Sequence, residues 1–135
     1  MPVQAGNEEQ QVIDLINQIR RQNNLPTLTS DARLMAAAES HSLDMAQHNI
    51  FAHEGSDGSL VGDRLKRQGY MWNFYAEDLA CGYDGPNAVV QGWLDSPAHR
   101  DNLLAANARQ IGVGFVGDQG GDCRTYWTAD FAAGR

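Results

Sequence analysis

Apolar residues recur at helical spacing from Glu8 to about Asn23, with Val12, Leu15, Ile16 and Ile19 on one face. Glu8 and Glu9 suit the first turn of such a helix. The stretch "NNLPTLT" then breaks it, with Pro26 as the stop. Ser30 is an N-cap signal for a second helix, from Arg33 to about His48. Leu34, Ala38, His41, Met45 and His48 form its stripe. Ser59 to Gln68 predicts a short helix stopped by Gly69. "MWNFYAEDLACGY" is aromatic-rich without helical period and predicts a strand around 74–82. "GPNAVVQGWLDS" predicts a helix started by Pro86, with Val89, Val90 and Trp93 as its apolar side. In "SPAHRDNLL", Ser96 caps another turn of helix and Pro97 takes the first position. Ile111, Val113 and Phe115 alternate, which predicts a half-buried strand. Gly117 to Gly121 reads as a hairpin turn, and "CRTYWTADF" as the returning strand. Helices come first and strands later, with helices between them. That order predicts an α+β domain with helices packed on a small antiparallel sheet.

A chain of 135 residues, 42% of them apolar, makes one domain with a real core. Residues 1–7 read as a flexible N-terminal arm and residues 8–135 as a single domain. No apolar run is long enough to span a bilayer, so no transmembrane segment is expected. No leader opens the chain, which leaves the compartment open because leaders are cleaved. Net charge is −7 and the ten Lys and Arg are scattered, so a nucleic-acid partner is not expected. Arg20-Arg21, the adjacent basic pair, is read as a helix C-terminus. Cys81 and Cys123 lack CxxC spacing. They are either buried free thiols or one disulfide between strands. The bridge is the reading adopted. It would stabilise the fold by roughly 4 kcal/mol and imply an oxidising compartment.

Three polar residues stand at element edges. His53 follows the second helix, Glu77 lies inside the apolar strand "FYAEDLA", and His99 lies on the short helix after Pro97. A carboxylate in an apolar strand is costly to bury unless it is paired. Two histidines and one glutamate also form a ligand set suited to zinc. No HExxH or similar local motif supports that set, and each residue alone has a plain structural explanation. His41, between core residues, is read as a buried hydrogen-bonded histidine. His48 is read as a helix-end residue. Ser56 and Ser59 are read as turn residues. Trp72 and Phe74 are read as packing residues, with a cleft rim as the other reading.

The ordered segments "FAHEG", "GDRL", "AEDLACG", "WLDSPAHRDNLL", "IGVGF" and "YWTADF" resemble the CAP domain. This is the superfamily of cysteine-rich secretory proteins, antigen 5 and pathogenesis-related proteins, here of the bacterial SCP-like type. The resemblance runs from about Glu8 to Phe131. It implies an α-β-α sandwich with a cleft carrying two histidines and usually two acidic residues. His53 matches the first histidine, and His99 the second in an "S-P-x-H-R" form. Glu77 matches the glutamate of the family's "G-E-N" element, which here reads Ala76-Glu77-Asp78. Asp78 keeps a side-chain acceptor but loses the amide donor. The other acidic position, three residues after Trp93, holds Ser96, and Asp95 is the candidate stand-in. The resemblance implies a secreted or periplasmic protein whose His53, Glu77 and His99 hold zinc or another divalent metal. It would bind a small apolar ligand, lipid or sterol, or a protein partner. The alternative is a zinc-dependent hydrolase using the same cleft.

Overall fold

The computed structural model describes residues 6–135. Residues 1–5 of the expected arm lie outside the described residues, and Asn7 already opens the first helix. In chain order the elements are α1 (Asn7–Gln22), β1 (Thr29–Ser30), α2 (Ala32–His48), α3 (Val61–Arg67) and β2 (Trp72–Cys81). Then come α4 (Pro86–Leu94), α5 (Pro97–Leu103), β3 (Gln110–Gly117) and β4 (Thr125–Gly134). Ser30 does not cap α2. It pairs with Ile111 in β1, and Asp31 takes the cap, accepting from the Arg33 amide at 2.9 Å and the Leu34 amide at 3.3 Å. Asp serves as well as Ser in that position. α2 ends at Asn49, whose φ of 51° lies in the left-handed region that Asn tolerates.

The sheet order is β1-β3-β4-β2. The three long strands are antiparallel, and β1 adds a short parallel edge to β3. A two-residue strand is too short for its alternation to be read from the sequence. β2 is the other edge.

Strand β3 corrects the expectation of a half-buried strand. Ile111, Val113 and Phe115 face one layer, but Gly112 and Gly114 face another that is equally covered. A Cβ on Gly112 would fall inside the backbone of Leu34, and one on Gly114 inside that of Ala38. Helix α2 therefore rests directly on the strand's main chain. Ser42 fastens the contact, donating to the Gly114 carbonyl at 3.1 Å and sharing a 2.8 Å hydrogen bond with Thr128.

Cross-strand partners share a sheet face. Glu77 pairs with Asp130 and Asp130 with Gly112, so this row faces α2. Asp78 pairs with Ala129 and Ala129 with Val113, and this row faces the opposite layer. There Val12, Ile13 and Ile16 of α1, Val89, Val90 and Trp93 of α4, and Leu103 of α5 bury Ile111, Val113, Ala129 and Phe131. Burial of each large side chain contributes about 1.5–3 kcal/mol. Helices on both faces of one sheet give the α-β-α sandwich that the sequence implied.

Cys81, at the end of β2, is bonded to Cys123, just before β4, across 42 residues. The bridge ties the edge strand to the β3–β4 connection and contributes about 4 kcal/mol by restricting the unfolded chain. That connection is longer than the Gly117–Gly121 turn expected, because β4 begins at Thr125. Asn49 holds it from outside, accepting from the Asp122 amide at 2.8 Å.

Candidate functional site

The chain beyond α2 is pinned on both sides of His53. From α2, buried His41 donates Nε2–H to the Ala52 carbonyl at 2.8 Å. That bond fixes the tautomer, and burial lowers the His41 pKa and keeps the ring neutral. From α3, Arg64 Nη1 donates to the His53 carbonyl at 2.8 Å and to the Ser59 carbonyl at 3.1 Å. The His53 side chain is then placed with Nδ1 2.8 Å from Glu77 Oε1. The imidazole is 58% exposed while the Glu77 side chain is 1% exposed. A neutral His53 donates from Nδ1 to the carboxylate, which leaves the lone pair of Nε2 for solvent or a ligand.

Arg64 is the residue that makes a buried Glu77 tolerable. Its Nη2 donates to both Glu77 oxygens, at 3.2 and 3.1 Å, and its side chain is only 8% exposed. Across the strand pair Glu77 meets Asp130, which is fully enclosed. Neither Asp130 oxygen meets an N–H or O–H donor among the described residues. Two carboxyl groups can face each other in a dry sheet only if one carries a proton. Burial, together with the facing Glu77 charge, drives Asp130 well above the usual carboxyl range, so Asp130 holds it. Burial pushes Glu77 upward too, opposed by its hydrogen bond with Asp130 and by Arg64.

Asp78 points to the other layer. Asn102 of α5 donates to Asp78 Oδ1 at 2.8 Å and to the Glu77 carbonyl at 3.3 Å. Trp93 Nε1 donates to the Leu79 carbonyl at 3.0 Å. These two side chains cap outward carbonyls of edge strand β2, which closes that half of the edge to another strand. Burial raises the Asp78 pKa to about 7. A carboxyl with a raised folded-state pKa contributes most below its unfolded value of about 4 and loses that contribution as pH climbs to about 7. Asp78→Asn keeps an acceptor for Asn102 and abolishes the titration. Urea melts should find the variant more stable than the parent by about 2 kcal/mol near pH 8, with the difference vanishing near pH 4.

His99 sits in α5, its Nδ1 3.0 Å from the Ser96 hydroxyl. With Phe51, Leu79, Tyr83 and Trp93 it lines a groove of about 300 Å³ beside β2. His53 and His99 thus approach the β2 edge from opposite layers, and Phe51, two residues before His53, reaches the groove that His99 lines. The structure joins His53 to Glu77. Among the described residues no hydrogen bond or ion pair joins His99 to either. Asp95, the candidate fourth residue, is exposed at the end of α4 and accepts from Gln91 at 2.9 Å. Among the described residues no group of three His, Cys, Asp or Glu side chains is placed to hold a metal ion. The three residues therefore do not form a three-ligand zinc site as arranged, because both Glu77 oxygens are taken up by Arg64 and His53, whereas His53 and His99 each use only Nδ1 and keep Nε2 free among the described residues.

Trp72 and Phe74 are packing residues. Trp72 Nε1 donates to the Gly62 carbonyl at 3.0 Å, and Phe74 joins the main core. Arg64 and Asp130 escaped the sequence reading, though each left a signal. Arg64 falls on the Val61–Leu65 face of a short amphipathic helix. Asp130, in "YWTADFAA", is a carboxylate in an apolar strand, as Glu77 is.

A helix-sheet-helix domain with a histidine and buried glutamate beside its edge strand is the architecture of the secretory CAP fold. The model of the cysteine-rich secretory protein (CAP) family matches residues 13–131, and the chain belongs to that family. It is 32% identical over 130 residues to the uncharacterized protein YkwD of Bacillus subtilis, covering 96% of this chain and 49% of that one. A crystal structure of an extracellular SCP-domain protein from Bacillus anthracis matches with 35% identity and a TM-score of 0.83, covering 93% of this chain and 40% of that one. An outer surface protein of Borrelia burgdorferi shares the fold at 22% identity and a TM-score of 0.87, covering 98% of this chain and 97% of that one. The chain thus spans half or less of the two Bacillus proteins.

Proposed function

We propose that this chain is the binding module of a secreted protein, taking a ligand or partner at the β2 edge through His53 and the adjoining groove. The observation that carries this reading is an exposed imidazole whose Nδ1 is fixed by a buried, Arg64-clamped carboxylate. A fixed Nδ1 presents Nε2 in one direction, and that preorganisation lowers the entropic cost of binding. The groove supplies apolar wall from Phe51, Leu79 and Trp93, which suits a small apolar ligand such as a lipid or sterol. The disulfide and the extracellular B. anthracis relative support an extracytoplasmic location. A divalent metal enters this reading as an occupant of the two histidines, with Glu77 as the carboxylate that orients His53 rather than as a ligand. The alternative, a zinc-dependent hydrolase at the same cleft, would draw its nucleophile from metal-bound water, and zinc-dependent turnover of a peptide, ester or glycan substrate would favour it over a binding module.

Two titrations test the reading. Zinc binding followed by calorimetry should weaken at least tenfold in both His53→Ala and His99→Ala, and undiminished affinity in either removes the metal from the proposal. A fluorescent fatty acid should bind the parent and bind Phe51→Ser about tenfold more weakly, the effect of losing roughly 1.4 kcal/mol of apolar contact. No saturable binding of zinc or fatty acid by the parent would sink the ligand-binding reading.

A further inference from the structure

At the opposite end of β2 from Cys81 lies a pocket of about 480 Å³ formed by the start of β3, the end of β4 and the turn before β2. Three arginines line it: Arg33 from the first turn of α2, Arg109 before β3, and Arg135 after β4. No aspartate or glutamate is among its lining residues, in a chain that has 17 acidic residues and only ten Lys and Arg. Convergence of three cations in so acidic a protein is not what an even scatter of charge produces.

Their hydrogen bonding leaves donors to spare. Arg33 is held against Asp31 at 2.8 Å and stacks 4.8 Å over the Tyr70 ring, which fixes its position on the pocket wall. Arg109 uses Nη1 on the Ala106 and Ala108 carbonyls at 2.6 and 2.8 Å. Its Nε and Nη2, and the whole Arg135 guanidinium, meet no acceptor among the described residues. Asp31 offsets the Arg33 charge, which leaves the Arg109 and Arg135 guanidiniums to supply the pocket's free donors. Guanidinium forks match the oxygens of phosphate and carboxylate groups, and charge-assisted pairs of this kind are the strong ones.

We propose that this pocket is an anion site that takes a phosphate or carboxylate group, with Arg109 and Arg135 supplying the contacts and Arg33 the flanking charge. It is separate from the His53–Glu77 pair: Glu77 lies six residues beyond Met71, roughly 20 Å along the strand. The pocket is open to solvent, so affinity for a simple ion is modest.

Calorimetry at constant ionic strength, with inorganic phosphate in one arm and citrate in the other, tests the site. The parent should bind at least one with a Kd below about 10 mM, and Arg109→Gln/Arg135→Gln should weaken that binding at least tenfold. Phosphate alone binding assigns the site to phosphate groups, and binding of both extends it to carboxylates. The double variant should keep the parent's zinc and fatty-acid responses, because it leaves the β2 edge untouched. If the double variant fails to fold, Arg135→Gln alone gives the same test, since its side chain makes no hydrogen bond among the described residues. Absence of saturable binding by the parent, or equal binding by the variant, overturns the proposal.

Discussion

Gly112→Val should cost the protein its cooperative unfolding transition. A larger side chain in an ordinary core pushes on other side chains, and the strain is typically 1–3 kcal/mol. At Gly112 the obstacle is main chain: the new Cβ would coincide with the Leu34 carbonyl and approach the Met35 amide. Neither group can rotate away, so α2 must lift from β3 as a unit. Lifting it breaks the buried Ser42–Thr128 bond and displaces His41, which holds the Ala52 carbonyl beside His53. The expected destabilisation exceeds about 4 kcal/mol, a large part of the total margin of a domain this size. Gly114→Val should behave alike, because its Cβ would meet the backbone of Ala38. Gly85→Ala is the control. Nothing lies within contact of a Cβ there, and its expected cost stays below about 1 kcal/mol. Near-UV circular dichroism and urea melts measure all three. A Gly112→Val protein that melts within about 1 kcal/mol of the parent would show that α2 does not sit where the structure places it.

The same glycines show how far the sequence could be read. Their alternation with Ile111, Val113 and Phe115 announces a strand, and the strand is there. What alternation cannot say is whether a small residue faces water or a helix that comes too close for any side chain. Helices were legible because their apolar stripes repeat over several turns, and the six ordered segments carried the family and hence the layered fold. β1 was not legible, since two residues carry no period, and the capping role passed from Ser30 to its equally suitable neighbour Asp31. At the site, His53 and Glu77 were found through the resemblance, and the structure brings them into contact. His99, expected with them, lines the adjoining groove from α5 and meets neither through a hydrogen bond among the described residues. Helix period and strand alternation place a side chain on a face of its own element. They do not measure the gap between elements meeting at a sheet edge. The guanidinium that completes the pair was missed for a related reason: on a seven-residue helix, one arginine among Val61 and Leu65 looks like an ordinary surface charge.

Arg64→Met should therefore be the most damaging change among the polar residues. Arg64 is the hub of three segments, binding the His53 and Ser59 carbonyls in the loop and both oxygens of Glu77 in β2. Without it Glu77 stays buried opposite Asp130 with only His53 to balance it. Removing one partner of a buried ion pair costs about 3–5 kcal/mol, mostly from the charge left behind. For a domain of this length that lowers the melting temperature by about 10–20 °C. The source of the loss can be separated by a second change. In Arg64→Met/Glu77→Gln the stranded charge is gone, so the double variant should recover at least about 2 kcal/mol relative to Arg64→Met, a coupling typical of groups in direct contact. Arg64→Lys should fall between parent and Arg64→Met, because an ammonium keeps the charge but cannot span both Glu77 oxygens and both carbonyls at once. If the two changes prove additive instead, Arg64 stabilises the loop through its carbonyl contacts alone. Glu77 would then be held by His53 and Asp130, and the clamp that orients the exposed imidazole would not exist.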